Sequence, residues 1–281
     1  MTIASQERGR VESSKDRQQT VGLRSEIEDF AWKGLFRFGG IAALMAGLLF
    51  RRNLGAELSL LKESGLIAAG PTTPPATVRA WFTLLQTDPL VGLTWLNGFD
   101  LVNYVLVGVM FLALFAALRR VNPSAMASAM VLGLGGIAIY FASNQALALL
   151  SLSDQYAAAT TAAQRTMLLA DGQALLALNR FSSLSRYLSL LLIAIAGLIT
   201  SVVMLRSDVF NRATAYVGIL AGAFDLAYCL AIACAPAVDG ELLAVCFIPA
   251  AGLLLMIWHL LIGRRLHQAG RLAGKTLPQQ A

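Results

Sequence analysis

Two carboxylates lie within stretches that are long and apolar enough to cross a membrane. Asp225 is at the centre of AGAFDLAY (221–228), within a run that has no other charged residue. Asp100 has a similar setting in FDLVNY (99–104). A carboxylate in hydrocarbon is costly unless polar groups or water surround it, so such residues commonly bind ligands, carry protons or join helices. The chemistry of this chain is therefore expected around these two acids.

Amide and phenol groups on the neighbouring apolar stretches accompany the two acids. With a rise of 1.5 Å per residue, the polar positions range from about 18 Å above the cytoplasmic end of their helices, at Asp225, to about 30 Å, nearer the outer surface. If these helices pack side by side, the polar groups form a column that opens outward. We expect a ligand-binding cavity lined by Asp100, Asn103, Tyr140, Asn144, Asp225 and Tyr228.

Two glycines share a helix face with Asp225. Gly218 and Gly222 form a GxxxG pair, and the aspartate follows at helical spacing. Such a pair lets a neighbouring helix approach closely, so we expect Asp225 to face another helix and not lipid. Two roles remain open for the carboxyl group. It joins helices through a hydrogen bond to Asn103 or a tyrosine, or it takes part in binding or proton movement.

Motifs of known enzymes and metal sites do not occur in the sequence. GLGG (133–136) resembles part of a phosphate loop, but it lies in an apolar stretch with no strand before it, which favours helix packing. The chain has two histidines, and we expect His259 at the membrane interface. The three cysteines form no CxxC pair, and spacing does not decide whether Cys234 and Cys246 are bridged. We therefore expect no catalytic residue, no metal and no cofactor.

The composition is that of a membrane protein. Hydrophobic residues make up 57% of the chain and charged residues 14%, with a mean hydropathy of +0.66. Soluble domains carry nearer a quarter of charged residues. The net charge of +6 comes from positive residues at the ends of apolar runs, not from a basic surface interleaved with aromatics. This distribution argues against a nucleic-acid partner.

Hydrophobic runs of about 20 residues predict spanning helices. They indicate an all-α, polytopic membrane bundle with six transmembrane helices and short outer amphipathic helices. The bundle would occupy 31–265, between a polar arm at 1–30 that we expect to be disordered and a tail at 266–281. The predicted spans are about 32–50, 98–118, 125–152, 187–205, 213–235 and 242–263.

The distribution of Lys and Arg predicts the orientation of the bundle. Fifteen of the 22 Lys and Arg residues lie on the side of the two termini, and seven lie on the opposite side. The positive-inside rule therefore predicts that both termini are cytoplasmic.

Two long outer segments, 53–97 and 153–186, join the predicted spans. In the first, Thr77 is placed to cap a short helix, VRAWFTLLQ, whose Trp81 and Phe82 suit a membrane interface. In the second, leucines at 168, 175 and 176 form one apolar helix face. We expect helices that lie over the outer end of the bundle and shield it, with a functional gate as the alternative.

Three stretches resemble a known bacterial family. They are LRRVNPSAMASAM, LSLSDQYAAATTAAQRTMLLADGQALLAL and VVMLRSDVFNRATAYVGILAG, within a similarity that covers Leu90 to Gly263. The family is one of multi-pass membrane proteins that is known only as a domain of unknown function. The resemblance implies a bacterial inner-membrane protein of about six helices, and it supplies no catalytic residues.

These observations favour a non-enzymatic membrane protein that binds or moves a small or lipid-like molecule through an outward-facing polar cavity. One alternative is a structural or accessory subunit whose glycine-rich helix faces dock a partner membrane protein or a second copy of the chain. A membrane-embedded enzyme with Asp225 as acid or base is a third hypothesis. It needs a second catalytic group within hydrogen-bond reach, and the sequence indicates none.

Overall fold

The described part of the chain is a bundle of α-helices. The computed structural model describes residues 32–49, 74–181, 183–234 and 240–272, and all regular structure in these ranges is helical. The helices are α1 (Trp32–Leu49), α2 (Val78–Thr87), α3 (Pro89–Trp95), α4 (Gly98–Leu118), α5 (Pro123–Ser143), α6 (Ala146–Ala158), α7 (Ala162–Phe181), α8 (Ser183–Met204), α9 (Arg212–Cys234) and α10 (Gly240–Leu272).

Six helical stretches are long and apolar enough to cross a membrane. They are α1, α4, α8, α9, α10 and the stretch that runs from α5 into α6. The prediction of an all-α, multi-pass membrane bundle is therefore confirmed. An α-helix satisfies most of its backbone polar groups internally, which is what a hydrocarbon environment requires.

The stretch predicted as one helix over 125–152 is divided in two. Asn144 leaves the helical conformation, and its backbone N–H donates to Tyr140 as the last bond of α5. Its Oδ1 atom accepts from the backbone N–H of Ala146, at 2.9 Å, as α6 begins. Asparagine side chains compete in this way for backbone groups, and an apolar run shows no sign of such a break.

Glycine at the contact of α5 with α8 brings the two backbones together. A Cβ atom at Gly136 would lie 2.8 Å from the carbonyl oxygen of Ser189, and the Ser189 hydroxyl donates to the carbonyl of Gly136 at 2.7 Å. The interpretation of GLGG as a helix-packing sequence is confirmed. From this contact the packing continues from α8 to α9 and from α9 to α10, while α4 packs against α5 and also contacts α8.

Helix α1 is held in the bundle by close contact with α10. A Cβ atom at Gly40 would lie 2.8 Å from the backbone nitrogen of His267, and one at Gly263 would lie 2.8 Å from the carbonyl oxygen of Gly40. Nothing larger than glycine fits at either position without separating the helices.

The outer helices α2, α3, α6 and α7 form a second, smaller apolar cluster. Thr77 caps α2 as predicted, since its hydroxyl accepts from the N–H of Ala80 at 3.3 Å. The prediction that Trp81 and Phe82 lie at a membrane interface is wrong, because both are buried in this cluster. The hydroxyl of Ser153 on α6 donates to the carbonyl of Phe82. The sequence of α2 alone does not show that α6 and α7 cover it.

The predicted apolar face of α7 is confirmed. Leu168 is buried, and Leu175 and Leu176 pack against the outer cluster. The described parts of the two long connections, 74–97 and 153–181, thus form helices with an apolar cluster of their own.

We predict that Gly40→Leu weakens the attachment of α1. The added side chain meets the backbone of α10, and overpacking of this kind costs about 1–3 kcal/mol. The measurement is the apparent melting temperature in lipid nanodiscs. Gly34→Leu is the matched control, because a Cβ atom there has nothing within 4 Å. Equal melting temperatures for the two variants would contradict the α1–α10 contact.

Candidate functional site

A cavity of about 190 Å³ lies between α4, α8, α9 and α10. Most of its lining is apolar, with side chains such as Val107, Met110, Phe111 and Leu255. Most of its polar side chains lie near the beginning of α4 and in the second half of α9. They are Asp100, Asn103, Tyr104, Asp225 and Tyr228, and His259 on α10 is a further polar residue of the lining.

The cavity contains four of the six residues that the sequence predicted for it. Asp100, Asn103, Asp225 and Tyr228 line it directly, and Tyr140 and Asn144 lie behind Asp100. The two aspartates of the FDL sequences therefore border the same space from different helices.

The carboxyl group of Asp100 belongs to a hydrogen-bond network with the end of α5. The Tyr140 hydroxyl donates to Oδ2 of Asp100 at 3.0 Å. The side-chain amide of Asn144 donates to the Tyr140 oxygen at 3.4 Å and to the carbonyl of Asn97 at 3.3 Å. Asn97 has a left-handed backbone with φ of 55°, which asparagine tolerates, just before α4 begins. Tyr140 and Asn144 thus fix the position of Asp100.

Asp225 has a different environment. Its half-buried side chain lines the cavity, and among the described residues it has no hydrogen bond and no ion pair. Tyr104 and Cys229 lie within electrostatic range of its carboxyl group. The hydrogen bond from Asn103 or a tyrosine that would join helices is not present in the described part of the chain. The carboxyl group is therefore available to whatever occupies the cavity.

Asn103 presents a buried amide to the same space. Only 3% of the residue is exposed, and its Oδ1 atom has no hydrogen-bond partner within the described residues. Buried side-chain oxygens almost always have a partner, because leaving one unpaired costs about 1–3 kcal/mol. A polar group of a bound molecule, or water, would provide that partner.

Helix α9 does not pack beside α4 and α5. A single column of polar groups requires these three helices to lie side by side. Instead α9 packs against α8 and α10, and it faces α4 across the cavity. The polar groups of the two helices are separated by space and do not satisfy one another.

The glycines of α9 account for this arrangement. A Cβ atom at Gly218 would collide with the Ser201 hydroxyl and with Nε1 of Trp258. A Cβ atom at Gly222 would lie 2.7 Å from the side chain of Leu198. Both glycines are therefore used for packing inside the chain. Because other helices of the same chain already contact Gly218 and Gly222, the hypothesis that these two glycines dock a partner protein has less support.

The prediction that His259 lies at the membrane interface is wrong. The residue is 2% exposed, lines the cavity, and donates from Nδ1 to the carbonyl oxygen of Leu255 at 2.6 Å. Its ring also meets that of Trp258 edge-on, with centroids 5.5 Å apart. The last span is predicted to end at residue 263, whereas α10 continues to Leu272. His259 is therefore about 20 Å from the end of its helix.

Two further residues belong to the polar end and were missed. Tyr104 lines the cavity, and its ring packs on that of Tyr140 with centroids 4.5 Å apart. It follows Asp100 by one helical turn, a spacing that could have identified it. Arg186, near the beginning of α8, lies within electrostatic range of Tyr104, Tyr140 and Tyr228. It does not line the cavity, and its position depends on how α8 packs.

We predict that Tyr140→Phe lowers the stability of the bundle by about 1–3 kcal/mol, because the Asp100 carboxyl loses a hydrogen-bond donor. The measurement is thermal unfolding in lipid nanodiscs. Tyr216→Phe on α9 is the control, since that side chain is 61% exposed. If the two variants unfold at the same temperature, the bond to Asp100 is not a stabilising one.

Comparison with known families gives one match. The model of the family described as domain of unknown function DUF4386 matches residues 83–263. The match begins within α2 and extends into α10, so it includes cavity-lining parts of all four helices. No curated protein and no solved structure matches the chain. The family resemblance predicted over Leu90–Gly263 is confirmed, and the chain belongs to the DUF4386 family of unknown function.

Proposed function

We propose that this protein binds a small amphipathic molecule in the cavity between α4, α8, α9 and α10. The observation that carries the proposal is the buried, unpartnered Oδ1 atom of Asn103, which borders the same space as the carboxyl group of Asp225. A bound polar group would satisfy both. The apolar part of the molecule would lie along Met110 and Phe111 toward Trp258.

The size and lining of the cavity support this proposal. Its volume is about 190 Å³, whereas an apolar cavity of about 150 Å³ already accepts benzene. Sites for small molecules typically combine apolar walls with a few polar groups that orient the ligand. The cavity has this composition, with most of its polar groups gathered at one end.

The distribution of positive charge supports access from outside. Under the positive-inside rule the beginning of α4 lies at the outer side of the membrane. The polar end of the cavity is then in the outer half of the bundle, so a ligand would enter from the outer leaflet or the exterior. Movement across the membrane would require a second state that opens near His259.

The other hypotheses have less support. The Gly218–Gly222 pair of α9, one of the glycine faces that would dock a partner protein, already contacts α8 and α10. An enzymatic role for Asp225 needs a second acid or base at hydrogen-bond distance, and the described residues offer none there. We therefore propose binding, with transport as its extension.

We predict that filling the cavity abolishes binding of a neutral amphipathic probe. A Cβ atom at Gly197 meets only Cη2 of Trp258, at 3.8 Å, so Gly197→Leu places its side chain in the cavity with little strain. Hexanol binding is measured by calorimetry on protein in lipid nanodiscs, with empty nanodiscs subtracted. We expect saturable binding by the native protein and a loss of about tenfold or more in the variant.

Gly135→Leu is the matched control, because a Cβ atom there has nothing within 4 Å and the residue does not line the cavity. It should bind hexanol like the native protein. Gly197→Ala, with a single added methyl group, should give an intermediate loss. Binding that is absent from the native protein, or equal in all four proteins, would refute the proposed site.

A further inference from the structure

Given that the cavity binds a small amphipathic molecule, as proposed above, we infer that the polar group of this molecule carries one positive charge. The polar end of the cavity fits a protonated amine or a quaternary ammonium group next to Asp225, with a short apolar body directed toward Trp258.

The charges around the polar end are unbalanced. Two carboxyl groups, of Asp100 and Asp225, line it. Arg186 lies within electrostatic range of Tyr104, Tyr140 and Tyr228, and no cation within the described ranges acts on Asp225. Near the polar end the described residues therefore provide two carboxyl groups and one cation, and a buried carboxylate is stable only when an opposite charge pairs with it. A monovalent cation would complete the pair.

The side chains beside Asp225 are those that suit a cation. Tyr104, Tyr228 and Phe247 line the cavity. The ring centroids of Phe247 and Phe224 lie 6.2 Å apart, and because Phe224 directly precedes Asp225, Phe247 is at the same height in the bundle as Asp225. Aromatic faces attract ammonium groups in sites of low polarity. The unpartnered Oδ1 atom of Asn103 adds a neutral acceptor for an N–H group.

Anionic and neutral polar groups fit this environment less well. An anion would approach two carboxyl groups, and like charges at short distance repel strongly in a low-dielectric site. A neutral hydroxyl group could bond to Asn103 but would leave Asp225 without an opposite charge. Opposite charge is therefore the property that should distinguish good ligands from poor ones.

Three probes of equal chain length separate charge from hydrophobicity. Hexylamine, hexanol and hexanoate are titrated near neutral pH into the protein in phosphatidylcholine nanodiscs, whose lipid has no net charge. We expect hexylamine to bind about tenfold more tightly than hexanol, since hydrogen bonds between charged groups are markedly stronger than neutral ones. Hexanoate should bind more weakly than both.

Substitution of the aspartate tests the residue directly. Asp225→Asn should lower the ratio of hexylamine affinity to hexanol affinity about tenfold, whereas Asp225→Glu should largely retain the ratio. Asp154→Asn removes the same charge from an exposed position on α6 and should leave the ratio unchanged. Because both affinities are measured on the same variant, the ratio of hexylamine affinity to hexanol affinity is not changed by a general effect of the substitution on the cavity.

The outcomes distinguish this inference from the proposed function. If hexanol binds saturably but hexylamine binds no more tightly, or if Asp225→Asn keeps the preference, the cavity is a binding site and the charge assignment is wrong. If none of the three probes binds saturably to the native protein, the proposed function itself fails.

Discussion

Gly218 and Gly222 let α9 lie directly against its neighbours α8 and α10. Because no side chain separates these helices at the two glycines, α9 is drawn toward them and not toward α4. The space left between α9 and α4 is the cavity, and Asp225, on the same helix, borders it. A larger residue at either glycine would displace α9 and change the shape of the site. Gly218, Gly222 and Asp225 all line the cavity, so the face of α9 that packs against its neighbours also borders the opening.

The two acidic side chains that line the cavity, Asp100 and Asp225, have different hydrogen-bond environments. Asp100 is held by Tyr140, which is in turn bonded to Asn144 at the end of α5. The side chain of the same asparagine accepts a hydrogen bond from Ala146, the first residue of α6. Further along α6, the Ser153 hydroxyl donates to the carbonyl of Phe82 on the outer helix α2. One interruption in a long apolar stretch therefore links the outer helices to the polar end of the cavity. Asp225 has no such support among the described residues, which makes it the group that a ligand would meet.

Much of the architecture follows from the sequence through local rules. Runs of about 20 apolar residues form helices in a membrane because the backbone must satisfy its own hydrogen bonds there. Thr77 caps α2 because a hydroxyl before the first turn accepts from a free N–H, and that signal is also local. Buried polar residues in apolar runs are rare, so Asp100, Asn103 and Asp225 were recognisable as candidate site residues. The division of the long apolar stretch at Asn144 was not recognisable from the sequence, because an asparagine in an apolar run does not by itself end a helix.

The class of protein, most of its helices and most of the polar residues of the candidate site can be predicted from the sequence. Which helices face one another across the cavity follows from the way the helices pack. This packing places His259 inside the bundle, buries Trp81 and Phe82 beneath α6 and α7, and brings Arg186 near three tyrosines. The physical reason is that helix formation depends on residues one turn apart. Helix packing depends on the fit of surfaces that are distant in the sequence, and no local pattern encodes which two surfaces will meet.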